Sequence, residues 1–400
     1  MDMMQEEITT LHNWCIDEKK LMKSIADVAN ERPVSVILPM LYKELENDSL
    51  PNIVSELNKC TYLKEVIIPL AANNKDEFEQ TKRFFRSLKI PKLVMWCNGP
   101  KVNNVVSGLQ AEGLGLAEYT GKGRDVWLAM GIANLRNYAV ALHDADIQGY
   151  SSLIPTRLLY PLLDPELDFK FNKGYYARVS LDRTMMYGRV FRLFLQPLFR
   201  ALVDALGEEP DFVRYLRAFR YPISGEFALT SDLTRDLDIP GGWGIEMGVL
   251  AEMYRNVSVK RICQTDLGYY EHKHQDIGDG GTGLVKMSGE IFKTLLRSLI
   301  EQDNIEVSRA FLIKLRVLYQ RNAQDCISKY HADAHINGIN YDRHLEETIV
   351  ERFSKELMDA GNKYMLEPVS KRIPDWLRTM SAQRHIREEL LEVVLQENEV

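Results

Sequence analysis

Cysteine is scarce in this chain, and so are long apolar runs and any excess of positive charge. The 400 residues contain five cysteines, far apart and without a C-x-x-C pair: Cys15, Cys60, Cys97, Cys263 and Cys326. This spacing argues against a disulfide framework or a cysteine zinc cluster and is typical of the reducing cytoplasm. We therefore expect a cytoplasmic location.

Positive charge does not predominate, since 50 basic residues face 57 acidic ones and the formal net charge is −7. This balance gives no general attraction to nucleic acid or to an anionic membrane surface. The N-terminus lacks the basic and then apolar order of a signal peptide, and no apolar run approaches the roughly 18 residues that span a bilayer. We expect neither nucleic acid nor membrane as a partner.

Short apolar runs rich in β-branched residues recur in the first half of the chain. They are VSVILP at 34–39, EVIIPL at 65–70, KLVMWC at 92–97 and YAVALH at 138–143, separated by segments of helical periodicity. Strands that alternate with helices predict an α/β fold with a doubly wound, mostly parallel sheet. Such sheets bind ligands beyond the carboxyl ends of their strands.

The pattern divides the chain into four parts, which are residues 1–32, 33–150, 151–288 and 289–400. The first and last are rich in helix formers and predict helical N- and C-terminal extensions, the last for packing or dimerisation. The third carries a predicted strand at 169–180, a helix at 188–206 and a glycine-rich segment at 277–290, which indicates a mobile loop.

Two aspartates, Asp144 and Asp146, directly follow the fourth apolar run. In an extended chain, residues i and i+2 point the same way, and paired carboxylates suit Mg²⁺ together with substrate phosphates. The spacing alone leaves two interpretations open, a metal and diphosphate site or the polar mouth of a turn. A glycine turn around Lys122, which opens a predicted helix, also suits phosphate and favours the first interpretation.

Several short motifs between residues 33 and 290 together resemble the glucosyl-3-phosphoglycerate synthases, which are retaining, metal-dependent glycosyltransferases of the GT-A fold. The motifs are Pro39 to Glu44, Gly121-Lys122-Gly123, Asp144-Ala145-Asp146, Gly188-Arg189-Val190, Gly225-Glu226-Phe227-Ala228, Gly241-Gly242-Trp243-Gly244-Ile245-Glu246 and Gly268-Tyr269-Tyr270-Glu271-His272. The resemblance implies a GT-A type sheet and transfer of glucose from UDP-glucose to the 2-hydroxyl of D-3-phosphoglycerate.

The resemblance also implies a role for each matching residue. The donor-binding residues would be Pro39, Leu41, Glu44, Lys122, Asp144 and Glu226. The acceptor-binding residues would be Gly188, Arg189 and Val190. The ligands of Mg²⁺ or Mn²⁺ would be Asp146 and His272, and the catalytic residues would be Asp146 and Glu226. Without the resemblance, Glu226 reads as a helix-start carboxylate and His272 as a solvated loop histidine.

Two positions depart from the family pattern. Phe191 follows Gly-Arg-Val where the family has a threonine, and Tyr270 stands where relatives can carry an arginine two residues before the histidine. The first change removes a hydroxyl donor from the acceptor site, and the second removes a cation. Both bear on how an anionic acceptor is held.

Other functions remain open at this point. A mannosyl-3-phosphoglycerate synthase that uses GDP-mannose, or a glycosyltransferase with another acceptor, would share these motifs. A sugar-phosphate nucleotidyltransferase would require a glycine- and arginine-rich loop after the first strand. The segment that follows this strand, PMLYKELEND at 39–48, contains neither glycine nor arginine. A noncatalytic sugar-nucleotide-binding protein is the remaining alternative. We expect a homodimer.

Overall fold

The computed structural model describes residues 3–14, 17–116, 119–272, 276–278, 281–368 and 372–399. Its strands are β1 Thr9–Leu11, β2 Val34–Ile37, β3 Met40–Leu41, β4 Leu63–Ala71, β5 Lys92–Trp96, β6 Ala139–Leu142, β7 Ile147–Gln148, β8 Phe171–Ala177, β9 Phe227–Thr230, β10 Ile239–Pro240, β11 Ile262–Tyr269, β12 Glu271–His272 and β13 Arg372–Ile373.

Its α-helices are α1 Glu18–Ala29, α2 Ser49–Leu57, α3 Lys75–Phe84, α4 Pro100–Ala111, α5 Lys122–Arg136, α6 Leu153–Leu163, α7 Gln196–Leu206, α8 Asp211–Ala218, α9 Ile245–Asn256, α10 Gly283–Asp303, α11 Arg309–Ile336, α12 Arg343–Leu366, α13 Trp376–Ala382 and α14 Ile386–Asn398. A π-helix, Val190–Leu195, leads directly into α7. Within the ranges given above, no helix is long and apolar enough to cross a membrane.

A nine-stranded sheet forms the centre of the molecule. Its order is β1-β11-β8-β9-β6-β2-β4-β3, and β5 also pairs with β4. Only β9 runs antiparallel to its neighbours, β6 and β8. The four apolar runs form β2, β4, β5 and β6, and every residue of β2 and β6 is buried, as in a sheet covered by helices on both faces. The predicted doubly wound, mostly parallel α/β fold is confirmed.

The N-terminal segment differs from the helix expected there. Thr9–Leu11 forms β1, which pairs with the sheet edge at β11, and the side-chain amide of Gln5 hydrogen-bonds both backbone groups of Thr10 at 2.8 Å. Helix α1 begins only at Glu18, where the Asp17 carboxylate accepts from the backbone of Lys20. The helical prediction for Leu11 is wrong because pairing with an open sheet edge outweighs local propensity.

The glycine-rich segment also differs from its prediction. Helix α10 begins at Gly283, so the loop expected at 277–290 ends eight residues early, while 279–280 lie outside the described residues. Glycine density suggested a loop, but Val285, Ile291 and Phe292 are buried on α10 and hold the segment in a helix. Helix α12 packs on α10 and on α11, and α11 also packs on α7.

The last helix belongs to the core of the sheet domain. Helix α14 packs on α4, α5 and β5, and the side-chain amide of Asn398 both donates to the carbonyl of Val94 and accepts from its N–H, at 2.9 and 3.0 Å. The exposed backbone of β5 is therefore capped by the chain's own C-terminal helix. In the described part of residues 289–400, the regular secondary structure is helical apart from the two-residue strand β13.

Candidate active site

A cleft of about 460 Å³ opens at the carboxyl edge of the sheet, beyond the ends of β2, β6 and β8. Segments far apart in the sequence line it, and these include Pro39, Leu41, Glu44, Lys122, Asp144, Asp146, Tyr176, Arg178, Gly188, Arg189, Val190, Trp243 and Glu246. Parallel strands end at a common edge, and their following turns therefore meet. The structure thus brings together the predicted donor and acceptor segments.

Lys122 lies at the centre of the donor side, as the first residue of α5. Its Nζ donates to Asp144 Oδ1 at 2.6 Å and to Glu246 Oε1 at 3.1 Å. Burial alone would lower the pKa of Lys122, but the two carboxylates outweigh it and the pKa lies above its ordinary value. The ammonium is therefore charged and stands at a helix N-terminus, where an anion is doubly favoured.

Three carboxylates crowd the same wall of the cleft. Burial and then repulsion from Asp144 and Glu44 hold the pKa of Asp146 above its ordinary range, although Lys122 and Arg178 oppose the shift. Burial raises the pKa of Glu44 to about 7, even though its Oε2 accepts from the backbone N–H of Leu41 at 3.1 Å. Repulsion among these carboxylates is a cost that a bound cation would relieve.

The backbone of His272 lies next to the segment that carries Asp146. Strand β12 pairs with β7 in antiparallel register, and His272 stands opposite Ile147, the residue that follows Asp146. The His272 side chain is outside the described part of the chain. Among the side chains that are described, no three His, Cys, Asp or Glu residues group closely enough to hold a metal ion. A set of two protein ligands suits Mg²⁺ or Mn²⁺ when phosphate oxygens and water complete the shell.

Glu226 lies directly behind Asp144 and is fully buried. Its Oε2 accepts from the hydroxyl of Tyr176 at 2.8 Å, and its Oε1 from the backbone N–H of Asp144 at 3.4 Å. Tyr176 in turn stacks on Tyr270 with ring centroids 4.0 Å apart. Burial and the charge of Asp144 raise the pKa of Glu226. This carboxylate is held firmly beneath the cleft rather than in solvent.

The glycine before Glu226 is required by close packing. A Cβ atom on Gly225 would lie 2.5 Å from Asp144 Oδ2, well inside van der Waals contact. The strand therefore passes tightly under the Asp144 carboxylate because position 225 has no side chain. This explains why a glycine stands in the Ser-Gly-Glu-Phe-Ala segment.

The acceptor segment forms the opposite wall. Gly188 has φ of +73°, a left-handed conformation that favours glycine, and it turns the chain into the π-helix at Val190. The Nε of Arg189 donates to Glu346 Oε1 of α12 at 2.9 Å. Phe191 packs edge-on against Tyr221 with ring centroids 5.2 Å apart. An aromatic contact thus stands at one of the two positions where the sequence departs from the pattern it resembles.

Some lining residues were not assigned to the site from the sequence, although Arg178 is one of the basic residues near the acceptor motif. Arg178, just beyond β8, lines the cleft beside Gly188, and Lys286 and Glu290 reach it from the first turns of α10. Arg178 thus supplies a guanidinium to the cleft. The sequence signal for Arg178 was its position as a basic residue near the end of a predicted strand. Lys286 and Glu290 were missed because the glycine-rich segment that contains them was predicted to be a loop.

Comparison with known proteins agrees with this geometry. No protein-family model matches the chain. The chain is 47% identical over 398 residues to the glucosyl-3-phosphoglycerate synthase of Methanococcoides burtonii, covering 99% of this chain and 98% of the relative. It is 38% identical over 397 residues to the synthase of Persephonella marina, covering 98% and 97%.

Solved structures show the same fold. The glucosyl-3-phosphoglycerate synthase of Mycobacterium tuberculosis with Mn²⁺, UDP-glucose and phosphoglyceric acid aligns with a TM-score of 0.52 at 20% identity, covering 75% of this chain and 89% of that one. Its complex with Mg²⁺ and UDP aligns with a TM-score of 0.53, covering 76% and 89%. The fold is therefore the GT-A type implied by the motifs. With near full-length identity of 47% to a curated relative, the chain belongs to the glucosyl-3-phosphoglycerate synthase family.

Proposed function

We propose that this chain transfers glucose from UDP-glucose to the 2-hydroxyl of D-3-phosphoglycerate with retention of anomeric configuration, using Mg²⁺ or Mn²⁺. The observation that carries the proposal is the meeting of Lys122, Asp144 and Asp146 with Gly188 and Arg189 in one cleft of a chain of this family. The mycobacterial relative with UDP-glucose, phosphoglyceric acid and Mn²⁺ bound supports the substrates.

The donor occupies the side of the cleft formed after β2 and β6. Pro39, Leu41 and Glu44 border the uridine, and Asp144 contacts the ribose. Lys122 faces the diphosphate, whose negative charge replaces part of the interaction that the lysine now makes with Asp144 and Glu246. The positive end of α5 adds to this attraction.

The residues present fit a divalent cation. Glu44, Asp144 and Asp146 line one wall of the cleft, and the backbone of His272 pairs with Ile147, the residue that follows Asp146. Asp146 and His272 are the residues that would hold Mg²⁺ or Mn²⁺, and Mn²⁺ accepts imidazole as well as carboxylate. When bound, the ion neutralises the departing diphosphate and acts as a Lewis acid.

The transfer itself needs little covalent chemistry from the protein. The bond from the anomeric carbon to the diphosphate oxygen breaks, and a bond to the acceptor's 2-hydroxyl oxygen forms on the same face. The hydroxyl proton passes to the departing diphosphate oxygen. Lys122 stabilises charge on that diphosphate, Glu226 acts from beneath the cleft on the positive charge that develops at the sugar, and Arg189 holds the acceptor's phosphate.

A donor panel tests the proposed function. Purified protein with 3-phosphoglycerate and Mn²⁺ should form a glucosyl product from UDP-glucose, and GDP-glucose and GDP-mannose should react at least about 10-fold more slowly because base contacts add roughly 1.4 kcal/mol or more. Preference for GDP-mannose would indicate a mannosyltransferase. Release of pyrophosphate from UTP and a sugar phosphate would indicate a nucleotidyltransferase, and UDP binding without any transfer would indicate a noncatalytic protein.

Removal of the metal gives a second prediction. Chelation with EDTA should reduce transfer to below about 1% of the original rate, because a Lewis acid contributes several kcal/mol to such a step. Excess Mn²⁺ or Mg²⁺ should restore the rate. Thermal unfolding in EDTA serves as the control for folding, and full activity in EDTA with bound metal removed would reject the metal assignment.

We also propose a cytoplasmic enzyme. Cys60, Cys97, Cys263 and Cys326 are buried free thiols, and burial raises their pKa values, which suits a reducing compartment. The homodimer, with residues 289–400 as its interface, stays a prediction.

A further inference from the structure

One buried carboxylate connects the C-terminal helices to the acceptor wall. Glu346 lies in the first turn of α12 and is 3% exposed. Its Oε1 accepts from Arg189 Nε at 2.9 Å, and its Oε2 accepts from Arg192 Nη1 at 2.9 Å. Glu346 is therefore shared by two guanidinium groups, one of which lines the cleft.

The second guanidinium holds the turn that carries the first. Arg192 is buried, and its Nε donates to the backbone carbonyl of Tyr187 at 2.7 Å. Its Nη2 also approaches Glu346 Oε1 at 3.4 Å. The bend from Tyr187 through Gly188 to Arg189 is thus fixed at its start by Arg192 and at its end by Glu346. The π-helix that contains Arg192 is a feature often found at functional sites.

The segment just before α12 makes an independent contact with the same wall. The backbone N–H of Asn340 donates to the carbonyl of Thr184 at 2.8 Å, and Met185 and Asn340 form a parallel bridge. Two parts of the C-terminal region therefore contact the segment around Gly188, one before it and one after it. The acceptor wall is a joint product of residues 184–192 and residues 340–346.

The charges in this cluster favour an anion. Two guanidinium groups face one carboxylate, which leaves a net charge of about +1 beside the cleft. Within the described part of the chain, the contact of Arg189 with Glu346 uses Nε, and the side chain keeps 20% of its exposure. Arg189 lines the cleft, and a planar guanidinium fixed at its Nε edge can offer its Nη donors to a ligand there with little further loss of entropy.

We infer that Glu346 is a positioning residue for the acceptor, and that it acts by fixing Arg189 and Arg192 rather than by touching substrate. The C-terminal helical region is then part of the acceptor site and does more than pack. This inference rests on the proposed function, because it needs an anionic acceptor at Arg189. The opposite expectation is that Glu346 merely neutralises Arg189, in which case its removal would strengthen acceptor binding.

The test is the kinetics of Glu346→Gln, which keeps the shape of the side chain and removes its charge. The KM for 3-phosphoglycerate should rise about 10-fold, since a charge-assisted hydrogen bond is roughly twice as strong as a neutral one. The kcat at saturating acceptor and the KM for UDP-glucose should change less than about 2-fold. Glu346→Asp, which retains the charge, should recover part of the loss.

A matched control lies one residue further on. Glu347 pairs with Arg343 on the partly exposed side of the same helix, and Glu347→Gln should behave as the wild type. Arg189→Ala provides the benchmark, with a KM for 3-phosphoglycerate raised about 10- to 100-fold. An unchanged or lower KM in Glu346→Gln, or an unchanged KM in Arg189→Ala, would overturn the inference.

The outcomes separate this inference from the proposed function. If the wild type does not glucosylate 3-phosphoglycerate, the proposed function fails and the inference fails with it. If the wild type is active and Glu346→Gln has the wild-type KM, only the inference fails. If Glu346→Gln does not fold, as judged by UDP binding, Glu346→Asp decides in its place, because the shorter side chain should still raise the KM for the acceptor alone.

Discussion

Replacing Asp146 with asparagine is expected to lower kcat/KM for UDP-glucose by about 10³-fold or more. The substitution keeps the shape of the side chain but removes the charge of the proposed metal ligand, and metal-assisted stabilisation of a departing diphosphate is a matter of several kcal/mol. Steady-state kinetics at saturating Mn²⁺ measure the loss, and Mn²⁺ titration measures the affinity.

The same substitution should not destabilise the fold. The pKa of Asp146 is held above its ordinary value in the folded protein, so ionisation of this group opposes folding at pH values above its unfolded pKa. A neutral asparagine is therefore expected to leave the metal-free protein at least as stable as the wild type at pH 8, as measured by thermal unfolding in EDTA. Asp27→Asn, at an exposed position of α1, is the matched control and should retain full activity. Wild-type turnover in the Asp146 variant would show that Asp146 is not a ligand of the metal ion.

Replacing Glu226 with glutamine is expected to lower kcat by about 10²- to 10³-fold with a smaller change in the KM for UDP-glucose. A fixed carboxylate stabilises positive charge that exists at the anomeric carbon only in the transition state, and loss of one preorganised group of this kind costs about that factor. Tyr176→Phe, which removes the hydroxyl that donates to Glu226 Oε2, should have a smaller effect, below about 10-fold.

A second buried glutamate provides the control for Glu226. Glu65 is 2% exposed on β4 and accepts hydrogen bonds from Arg136 and Asn137, away from the cleft. Glu65→Gln is expected to lower the free energy of unfolding while kcat stays near the wild-type value. Equal loss of kcat in both variants would show that Glu226 acts through folding alone.

The strands at the centre of the sheet were predictable because their burial can be read from the residues of each strand alone. A strand of a parallel sheet covered on both faces reads as a continuous apolar run, and β2, β4, β5 and β6 were each identified in this way. The antiparallel insertion of β9 between β6 and β8 was not, because strand pairing depends on the whole sheet. Likewise β1 owes its conformation to the edge of β11 rather than to its own residues.

Individual residues of the candidate site were predictable from the sequence, but the contacts between distant residues were not. Asp144, Asp146 and Lys122 follow from strand ends and a glycine turn, and the structure brings them together. The ion pair of Lys122 with Glu246 joins residues 124 positions apart, and that of Arg189 with Glu346 joins residues 157 positions apart. No local sequence pattern predicts such contacts, because each partner by itself is an ordinary charged residue at the start of a helix.

The most direct test of the central claim is NMR spectroscopy of the product formed by the purified protein from UDP-glucose and 3-phosphoglycerate with Mn²⁺, after removal of the metal. The account predicts one product, with glucose in α linkage to the 2-hydroxyl of the glycerate and the 3-phosphate intact. A β-linked product, glucose at another position, or no transfer to 3-phosphoglycerate would contradict it.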